Sequence, residues 1–321
     1  MRAIVIKEYG GPEVLRLAET EAPVPGPGEV LVDVGARGVN FIDVYQRSGA
    51  YQVPLPYIPG MEAAGVVAAL GEGVRDFEVG QRVAWAMASG GYADQAVVSA
   101  SLLLPVPDAV STEQAAALLL QGMTAHYLTH SVHPVAEGET VLVHAAAGGT
   151  GLLITQLAKA RGARVIGTVS TEAKERTARE AGADEIIRYT EAPVAPTVRE
   201  LTGGKGVAAV YDGVGRATFD ASLESLRPRG VLALFGQSSG AVEPVDPQRL
   251  NTAGSVYLTR PSLAHFVAER EELLDRAGDL FGLVEQGRLD VRIGGRYELG
   301  EAGQAQADLA SRETTGKLLL V

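Results

Sequence analysis

The sequence contains no cysteine. Disulfide bonds, thiolate nucleophiles and cysteine-ligated zinc sites all need this residue, so its absence excludes all three. The five histidines form no His-x-x-x-His pair that includes a helical glutamate. His126, His130 and His133 lie at helical spacing, but a partly exposed helix face that ends at Pro134 explains them better than a metal site. We therefore predict that the protein binds no metal.

Basic blocks and long apolar runs are also missing. No run of five or more Lys or Arg residues occurs and the net charge is −11, so we expect no nucleic-acid partner. No apolar run reaches the length of a membrane span, and we expect no membrane partner. Residues 1–6 are typical of a strand and lack the apolar core of a signal peptide, which leads us to expect a cytoplasmic protein.

The first part of the chain is β-rich. Between residue 2 and about residue 120, short apolar runs are separated by Gly and Pro turns such as Gly10-Gly11-Pro12, which predicts a compact, barrel-like β domain. The pattern changes at Ser111. This residue is a predicted N-cap, because Gln114 follows three residues later and an Ala/Leu run comes next.

Strands and helices then alternate to about residue 260. The predicted strands are residues 141–144, 164–169, 185–187, 207–211, 231–235 and 255–258. Such alternation predicts a parallel, doubly wound α/β sheet with right-handed crossovers. An amphipathic helix at 266–287 and short strands at 291–297 and 317–321 would return the chain to the first domain. The 321 residues thus suffice for a β domain interrupted by a nucleotide-binding domain, with a ligand cleft between them.

Residues 141–151 hold the candidate phosphate site. A buried apolar strand leads into a glycine turn that opens a helix with Leu152-Leu153-Ile154. Glycine lets the backbone approach an anion, and the unpaired N–H groups of the first helical turn point at it. The turn alone is weak evidence for a phosphate site, since glycine turns between strands and helices are common. Its place after the first strand of an alternating sheet indicates a dinucleotide loop.

The end of the second strand of this sheet indicates which dinucleotide binds. A sheet that prefers NAD carries an acid there for the ribose 2′-OH, whereas this chain has Ser170 and Thr171. These hydroxyls can donate to a 2′-phosphate, and Lys174 can supply positive charge. A solvated helix lysine and a first-turn acid at Glu172 are the alternatives. The sequence therefore favours NADPH.

Several motifs together resemble a known family. They are Asn40-Phe41-Ile42-Asp43, Tyr45-Gln46-Arg47-Ser48-Gly49-Ala50-Tyr51, Gly60-Met61-Glu62-Ala63-Ala64-Gly65, the 145–151 turn, Tyr211-Asp212-Gly213-Val214-Gly215, Phe235-Gly236-Gln237-Ser238 and Arg260-Pro261-Ser262-Leu263. The chain resembles, over essentially its whole length, the zinc-less quinone oxidoreductases of the medium-chain dehydrogenase/reductase superfamily. This ζ-crystallin-like group includes the bacterial NADPH:quinone oxidoreductases.

The resemblance implies a fold and a cofactor. A GroES-like β-barrel substrate domain would comprise residues 1–122 and 264–321, and a Rossmann NADPH-binding domain would comprise residues 123–263. Zinc-dependent members have a cysteine where Asn40 stands and a histidine where Met61 stands. An amide and a thioether are poor zinc ligands, so alcohol oxidation through zinc is not expected.

The resemblance also implies site residues. Asn40, Tyr45 and Tyr51 would position and polarise the substrate without a covalent role. The cofactor-binding residues would be Phe41, Asp43, Thr124, Tyr127, Gly148, Gly149, Thr150, Gly151, Ser170, Thr171, Lys174, Tyr189, Val214, Phe235, Gly236, Gln237, Ser238, Pro261, Ser262, Leu263 and Arg312. Taken singly, Tyr189 could equally be a packed strand-end aromatic, Phe235 a core residue and Arg312 a surface ion-pair partner.

The expected reaction is hydride transfer from NADPH to a quinone, which needs alignment more than an acid, a base or a metal. Reduction of an activated C=C bond, with Tyr51 as the proton donor, is an alternative. A non-enzymatic NADPH- or RNA-binding role is another, although the acidic balance argues against RNA. We also expect a homodimer that pairs through the apolar strand predicted at 255–258, an edge of the sheet.

Overall fold

A computed structural model describes residues 1–321. The chain divides into two compact units. We call Met1–Met123 with Val267–Val321 the terminal unit, and Thr124–Phe266 the central unit.

The helices and strands follow one another in chain order. Up to residue 127 they are β1 (Arg2–Val5), β2 (Arg16–Glu19), β3 (Glu29–Val39), α1 (Phe41–Arg47), β4 (Glu62–Leu70), β5 (Arg82–Ala86), β6 (Gln95–Ser99), β7 (Leu104–Pro105) and α2 (Thr112–Tyr127). To residue 266 they are β8 (Thr140–Val143), α3 (Gly149–Ala160), β9 (Arg164–Val169), α4 (Glu172–Glu180), β10 (Glu185–Arg188), α5 (Val194–Leu201), β11 (Val207–Asp212), α6 (Phe219–Ser225), β12 (Leu226–Leu234), α7 (Gln248–Thr252), β13 (Tyr257–Thr259) and α8 (Leu263–Phe266). The last are α9 (Arg270–Glu285), β14 (Ile293–Tyr297), α10 (Ala302–Ser311) and β15 (Lys317–Leu320).

The terminal unit is built on the long strand β3. Its seven-stranded sheet has the order β14-β15-β3-β4-β5-β7, with β6 also paired to β3, and β1 and β2 form a separate hairpin. Strand β15 pairs antiparallel with β3 and places Leu318 opposite Val39. Trp85 and Val83 on β5 are fully buried in the core under this sheet. The C-terminal part of the chain therefore returns to the β domain, as the sequence predicts.

Helix α2 begins where the sequence predicts a cap. The hydroxyl oxygen of Ser111 accepts a hydrogen bond from the N–H of Gln114 at 3.1 Å, and the Gln114 side chain accepts from the N–H of Ser111 at 3.0 Å. This reciprocal pair is a capping box, which satisfies two N–H groups that a helix leaves unpaired at its start. Fully buried residues then follow on the helix, among them Ala115, Leu118 and Leu119.

The central unit contains a parallel six-stranded sheet. Its order is β10-β9-β8-β11-β12-β13, and every pairing is parallel. Numbered from β8, this is the order 3-2-1-4-5-6 of a doubly wound Rossmann fold, in which the direction of winding reverses between the first and fourth strands. The predicted α/β fold class is confirmed. Buried aliphatic residues from the strands and from α5 and α6 form one core cluster, which includes Leu142, Ile166, Val198, Leu223 and Leu232.

Several predicted boundaries are wrong, and one of them is that of β12, which begins at Leu226 rather than at residue 231. The edge strand begins at Tyr257 rather than at Ser255, because Ser255 has a left-handed backbone with φ of +56°. The helix predicted at 266–287 begins instead at Arg270, because Glu269 is extended at ψ of 135°, and Phe266 is the last residue of the preceding helix α8. No helix in the chain is both long and apolar enough to cross a bilayer.

Candidate active site

The C-terminal edge of the central sheet gathers most of the predicted cofactor residues. Residues 148–151 follow β8, 170–174 follow β9, Tyr189 follows β10, Val214 follows β11, 235–238 follow β12 and 261–263 follow β13. Parallel strands end at the same edge, and ligands of doubly wound sheets bind outside that edge where the winding reverses. Here the reversal lies between β8 and β11, beside the glycine turn.

The glycine turn leaves the start of α3 open. Gly148 is the N-cap, no side chain accepts from the first turn, and that turn contains no acidic residue. A Cβ atom at Gly151 would overlap the carbonyl oxygen of Ala145, so only glycine lets the helix pack this close to the end of β8. Uncapped N–H groups at the start of a twelve-residue helix fit a pyrophosphate.

The end of β9 provides a second anion-binding group. Thr171 caps α4 by accepting from the N–H of Lys174 at 3.3 Å, and the Lys174 ammonium donates to the Ser170 hydroxyl at 3.4 Å. The N–H of Tyr189 donates to the carbonyl of Val169 at 3.1 Å, which places Tyr189 beside this pair. Its side chain is 48% exposed, so it is not a packed core aromatic. Hydroxyl, ammonium and aromatic groups here suit a 2′-phosphoadenosine.

The loops after β11 and β12 pack against each other through glycine. A Cβ atom at Gly236 would lie 2.5 Å from the carbonyl oxygen of Gly213, so the close approach requires glycine. The N–H of Ser238 donates to the same Gly213 oxygen at 3.2 Å. This contact holds Val214 and Phe235 in neighbouring loops.

A buried hydrogen-bond chain lies behind these loops. The Ser222 hydroxyl donates to the Asp212 carboxylate at 2.7 Å and so accepts from Nε2–H of His144 at 2.9 Å. Nδ1 of His144 then accepts from the Thr168 hydroxyl at 3.0 Å. All four side chains are at most 2% exposed. The chain therefore ties the ends of β8, β9 and β11 together.

Asp212 also shapes the loop that follows it. Its Oδ1 accepts from the N–H groups of Val214 and Gly215 at 2.8 and 3.0 Å, and both carboxylate oxygens accept from the Thr218 hydroxyl. Sequence reasoning missed the roles of Asp212, His144 and Ser222. The only signal in the sequence was a polar residue at the tip of each apolar strand.

Two predicted cofactor contacts are buried inside the protein. Asp43 is fully buried and Tyr127 is 1% exposed, so neither side chain is open to the surface. The Tyr127 ring stacks on Phe266 with centroids 4.3 Å apart, and burial raises its pKa. We revise both roles: Tyr127 is a packing residue, and Asp43 holds neighbouring backbone in place.

In the terminal unit, Asp43 organises the start of α1. Asn40 is the N-cap, and its N–H donates to Oδ2 of Asp43 at 2.9 Å. The Tyr92 hydroxyl donates to the same oxygen at 3.1 Å, and the N–H of Met61 donates to Oδ1 at 3.1 Å. Burial raises the pKa of Asp43 to about 6, and its hydrogen-bond donors oppose that rise.

Three aromatic rings line α1 and the turn after it. Phe41 and Tyr45 have centroids 6.0 Å apart, and Tyr45 and Tyr51 have centroids 5.1 Å apart with their planes tilted by 57°. The N–H of Tyr51 donates to the Tyr45 carbonyl at 3.0 Å, which fixes the turn. Tyr51 is 37% exposed, whereas Asn40 is only 2% exposed. The aromatic rings are therefore the accessible part of this predicted site.

Asn40 belongs to a buried charged cluster that sequence reasoning missed. Its side chain contacts Glu62 on β4 and Lys317 on β15, and both are buried. Lys317 begins a strand that otherwise reads as apolar, which is a weak signal at best. Of the other predicted residues, Thr124 lies buried in α2, and Arg312 lies in the terminal unit at the exposed end of α10.

Comparison with known proteins agrees with this architecture. Residues 26–108 match the model of an alcohol dehydrogenase GroES-like domain, and residues 149–276 match that of a zinc-binding dehydrogenase. A quinone oxidoreductase of Pseudomonas aeruginosa is 45% identical, with 100% of this chain and 99% of that protein covered. A 2-haloacrylate reductase of a Burkholderia species is 41% identical, with 99% of this chain and 98% of that protein covered.

A solved structure adds a cofactor-bound relative. The Escherichia coli quinone oxidoreductase in complex with NADPH is 43% identical, superimposes with a TM-score of 0.98 and is covered at 100% in both chains. The chain belongs to the quinone oxidoreductase family. The predicted family and its GroES-like and Rossmann parts are therefore confirmed.

The model that matches residues 149–276 is that of a zinc-binding dehydrogenase. The side chains of this chain bear on whether that description fits it. No group of three or more His, Asp or Glu side chains is placed to hold a metal ion. Met61 is 8% exposed, and its sulfur accepts from the Tyr57 hydroxyl at 3.6 Å. Asn40 and Met61 occupy the two positions where zinc-dependent members are expected to carry zinc ligands. Here they supply an amide and a thioether, and each has a hydrogen-bond partner inside the chain.

The buried His144 predicts how stability depends on pH. Burial lowers the pKa of its imidazole below 6.5, so as the pH falls through 6.5 the unfolded chain takes up a proton that the folded chain does not. This contribution of His144 lowers the free energy of unfolding as the pH falls through that range, whereas the raised pKa of Asp43, about 6, contributes in the opposite direction. In His144→Leu this proton uptake is absent, and the difference in urea midpoint between about pH 7.5 and about pH 5.5 should shrink.

His265→Asn is the matched control, because His265 is exposed. Loss of its imidazole should leave the pH dependence as in the unsubstituted protein. An unchanged pH dependence in His144→Leu would contradict the buried, neutral state of His144.

Proposed function

We infer that the protein is an NADPH-dependent quinone oxidoreductase. The observation that carries this is the group at the end of β9, where Ser170 and the Lys174 ammonium stand in place of an acid. Ser170 and Lys174 can bind a 2′-phosphate, which only NADPH has. The NADPH bound to the E. coli relative and the quinone oxidoreductase names of full-length relatives support the assignment.

The central unit would hold the cofactor through contacts spread along the sheet edge. The N–H groups at the start of α3 would bind the pyrophosphate, with Gly149 and Thr150 nearest. Ser170, Lys174 and Tyr189 would surround the adenosine 2′-phosphate. Val214 and the loop at residues 235–238 would hold the nicotinamide half. These contacts would orient the nicotinamide ring for hydride transfer.

When bound, NADPH supplies a hydride to the acceptor. We propose that the terminal unit, residues 1–122 and 264–321, provides the acceptor site, with residues 123–263 as the cofactor domain. Phe41, Tyr45 and Tyr51 present aromatic faces to a planar quinone, which favours offset stacking. The hydroxyl groups of Tyr45 and Tyr51 can donate a hydrogen bond to a quinone oxygen, and the proton that completes the hydroquinone comes from water or from such a hydroxyl.

Reduction of an activated C=C bond is the second candidate function. The full-length likeness to a 2-haloacrylate reductase favours it specifically. In that reaction the carbon next to the activating group must gain a proton, and Tyr51, the more exposed of the two tyrosines, is the candidate donor. The same fold and the same cofactor site serve either acceptor.

Zinc independence, the homodimer and the cytoplasmic location are the remaining parts of the proposal. For zinc independence, the support is the chemistry of Asn40 and Met61. For the homodimer, it is the position of β13 at the edge of the central sheet, where Tyr257 is 62% exposed. An edge strand presents unpaired N–H and carbonyl groups to a second copy. The location stays a prediction.

Lys174→Glu tests the cofactor assignment. A carboxylate beside the 2′-phosphate repels it, so we expect the Kd for NADPH to rise about tenfold or more while the Kd for NADH changes little. Fluorescence titration measures both. Arg176→Glu is the control, because Arg176 lies on the same helix, is exposed and pairs with Glu172 at 2.9 Å. Equal effects of the two substitutions on NADPH would refute the assignment.

A substrate panel separates the two candidate functions. With NADPH and EDTA present, we expect higher turnover on 1,4-benzoquinones than on enoyl thioesters, 2-alkenals or 2-haloacrylates, because a quinone needs no positioned acid. Tyr51→Phe should leave quinone turnover within about threefold, since its hydroxyl is one of several proton sources. Faster reduction of an alkene than of every quinone, together with its loss in Tyr51→Phe, would establish the second function instead.

Tyr257→Lys tests the dimer. A lysine on an edge strand disfavours pairing with a second copy, so sedimentation velocity should show a monomer in place of a dimer. Leu274→Lys is the matched control, because Leu274 is 42% exposed on α9 in the terminal unit. A dimer that survives Tyr257→Lys would place the interface elsewhere.

A further inference from the structure

Lys317 is a buried cation with a role that the cofactor and aromatic sites leave unexplained. It is 2% exposed at the first position of β15. Its ammonium donates to Oε2 of Glu62 at 2.5 Å and to Oδ1 of Asn40 at 2.6 Å. A buried ammonium loses its hydration, and this loss is strongly unfavourable unless close partners compensate it. Its two partners here are a carboxylate and the N-cap of α1.

Glu62 is the counter-ion, and both of its carboxylate oxygens accept hydrogen bonds. Its Oε1 accepts from the N–H of Leu120 at 2.7 Å, and its Oε2 accepts from Nδ2 of Asn40 at 2.9 Å as well as from Lys317. The carboxylate is fully buried. A Cβ atom at Gly38 would overlap Oε2, so glycine makes room for the pair. The surrounding backbone is thus shaped to hold this one ion pair.

The ion pair fixes which way the Asn40 amide points. Oδ1 faces the ammonium of Lys317 and also accepts from the Gln121 side chain at 3.3 Å, while Nδ2 faces the Glu62 carboxylate. Exchanging the amide's oxygen and nitrogen would set N–H against the ammonium and oxygen against the carboxylate. Both contacts would become repulsive, so only one orientation is stable.

Asn40 transmits this constraint to the acceptor-binding aromatics. It is the N-cap of α1, and α1 carries Phe41 and Tyr45, whose carbonyl in turn holds Tyr51. A buried ion pair is often no more stabilising than an apolar pair of the same volume. Stability alone therefore does not account for a charged cluster that ends on the N-cap of this helix.

We propose that Lys317 is a positioning residue for the hydride acceptor. It acts through Asn40, with Glu62 as its counter-ion, to hold α1 and its aromatic rings in the geometry that hydride transfer needs. The inference rests on the proposed function, because it takes the rings of α1 as the acceptor site. The proposed role of Lys317 concerns the terminal unit alone, and Lys317 is not expected to contribute to cofactor binding.

The test measures kcat, KM, NADPH affinity and thermal stability in matched variants of the full chain. We expect Lys317→Met to lower kcat on 1,4-benzoquinone about 10- to 100-fold, the effect of a small misplacement of reacting groups. The Kd for NADPH should stay within about twofold, since the contacts proposed along the sheet edge lie in the other unit and Lys317 touches none of the predicted cofactor residues. Lys317→Arg keeps the charge and should recover part of kcat.

A double-variant cycle shows whether Lys317 acts through Asn40. If it does, Asn40→Ala with Lys317→Met should be no slower than Asn40→Ala alone. Multiplying effects would overturn the proposal. The neutral double variant Glu62→Gln with Lys317→Met removes both charges, so it tests the role even if Lys317→Met alone fails to fold. A folded neutral variant with unchanged kcat would equally overturn it.

Failure of the proposed function is distinguishable from failure of this inference. A protein that reduces an activated alkene and no quinone would refute quinone reduction, and the same cycle would then be run on kcat for that alkene. Loss of kcat there, with NADPH affinity kept, would still support Lys317. Equal loss of kcat and of NADPH affinity in all Lys317 variants would show a general structural role and overturn the inference.

Discussion

A carboxylate that is cut off from water must find its donors inside the protein, and both units are arranged around this requirement. In the central unit the carboxylate is Asp212, which takes two N–H groups, a threonine and a serine. In the terminal unit it is Glu62, which takes an N–H group, an amide and an ammonium. In each case some of the donors lie next to functional residues: the N–H of Val214 in the central unit, and Asn40, the N-cap of α1, in the terminal unit. The hydrogen bonds that satisfy each buried carboxylate therefore also shape the site beside it.

The topology of the central sheet decides which loops meet. Six parallel strands bring six loops to one edge, and the reversal of winding between β8 and β11 leaves room for a ligand there. The sequence places small or polar residues in those loops, namely glycine where backbone must approach and hydroxyl groups where a phosphate can be bound. The His144 chain crosses from β9 through β8 to β11 underneath them. It holds three of the loops at fixed distances from one another.

Local signals carried most of what sequence alone predicts. The capping box at Ser111, the glycine turn and the hydroxyl residues after β9 each involve residues within a few positions, so their patterns are visible in the chain. The ion pair of Lys317 with Glu62 joins residues 255 positions apart. No local sequence pattern around either residue indicates its partner. The family resemblance implies that Asp43 contacts the cofactor, yet its carboxylate accepts from three donors inside the protein. The left-handed backbone at Ser255 likewise depends on its tertiary setting and moved the start of β13.

The separation of Lys317 from Asn40 and Glu62 has a consequence for synthesis on the ribosome. At about 5–20 residues per second, the 255 positions between Glu62 and Lys317 take roughly 13 to 51 seconds to translate. During that interval β3 and β4 exist without β15, and the carboxylate of Glu62 lacks the ammonium of Lys317. The central unit, whose segment is contiguous, is complete before then. The segment that forms the nucleotide-binding fold is therefore synthesised before the terminal unit has acquired Lys317.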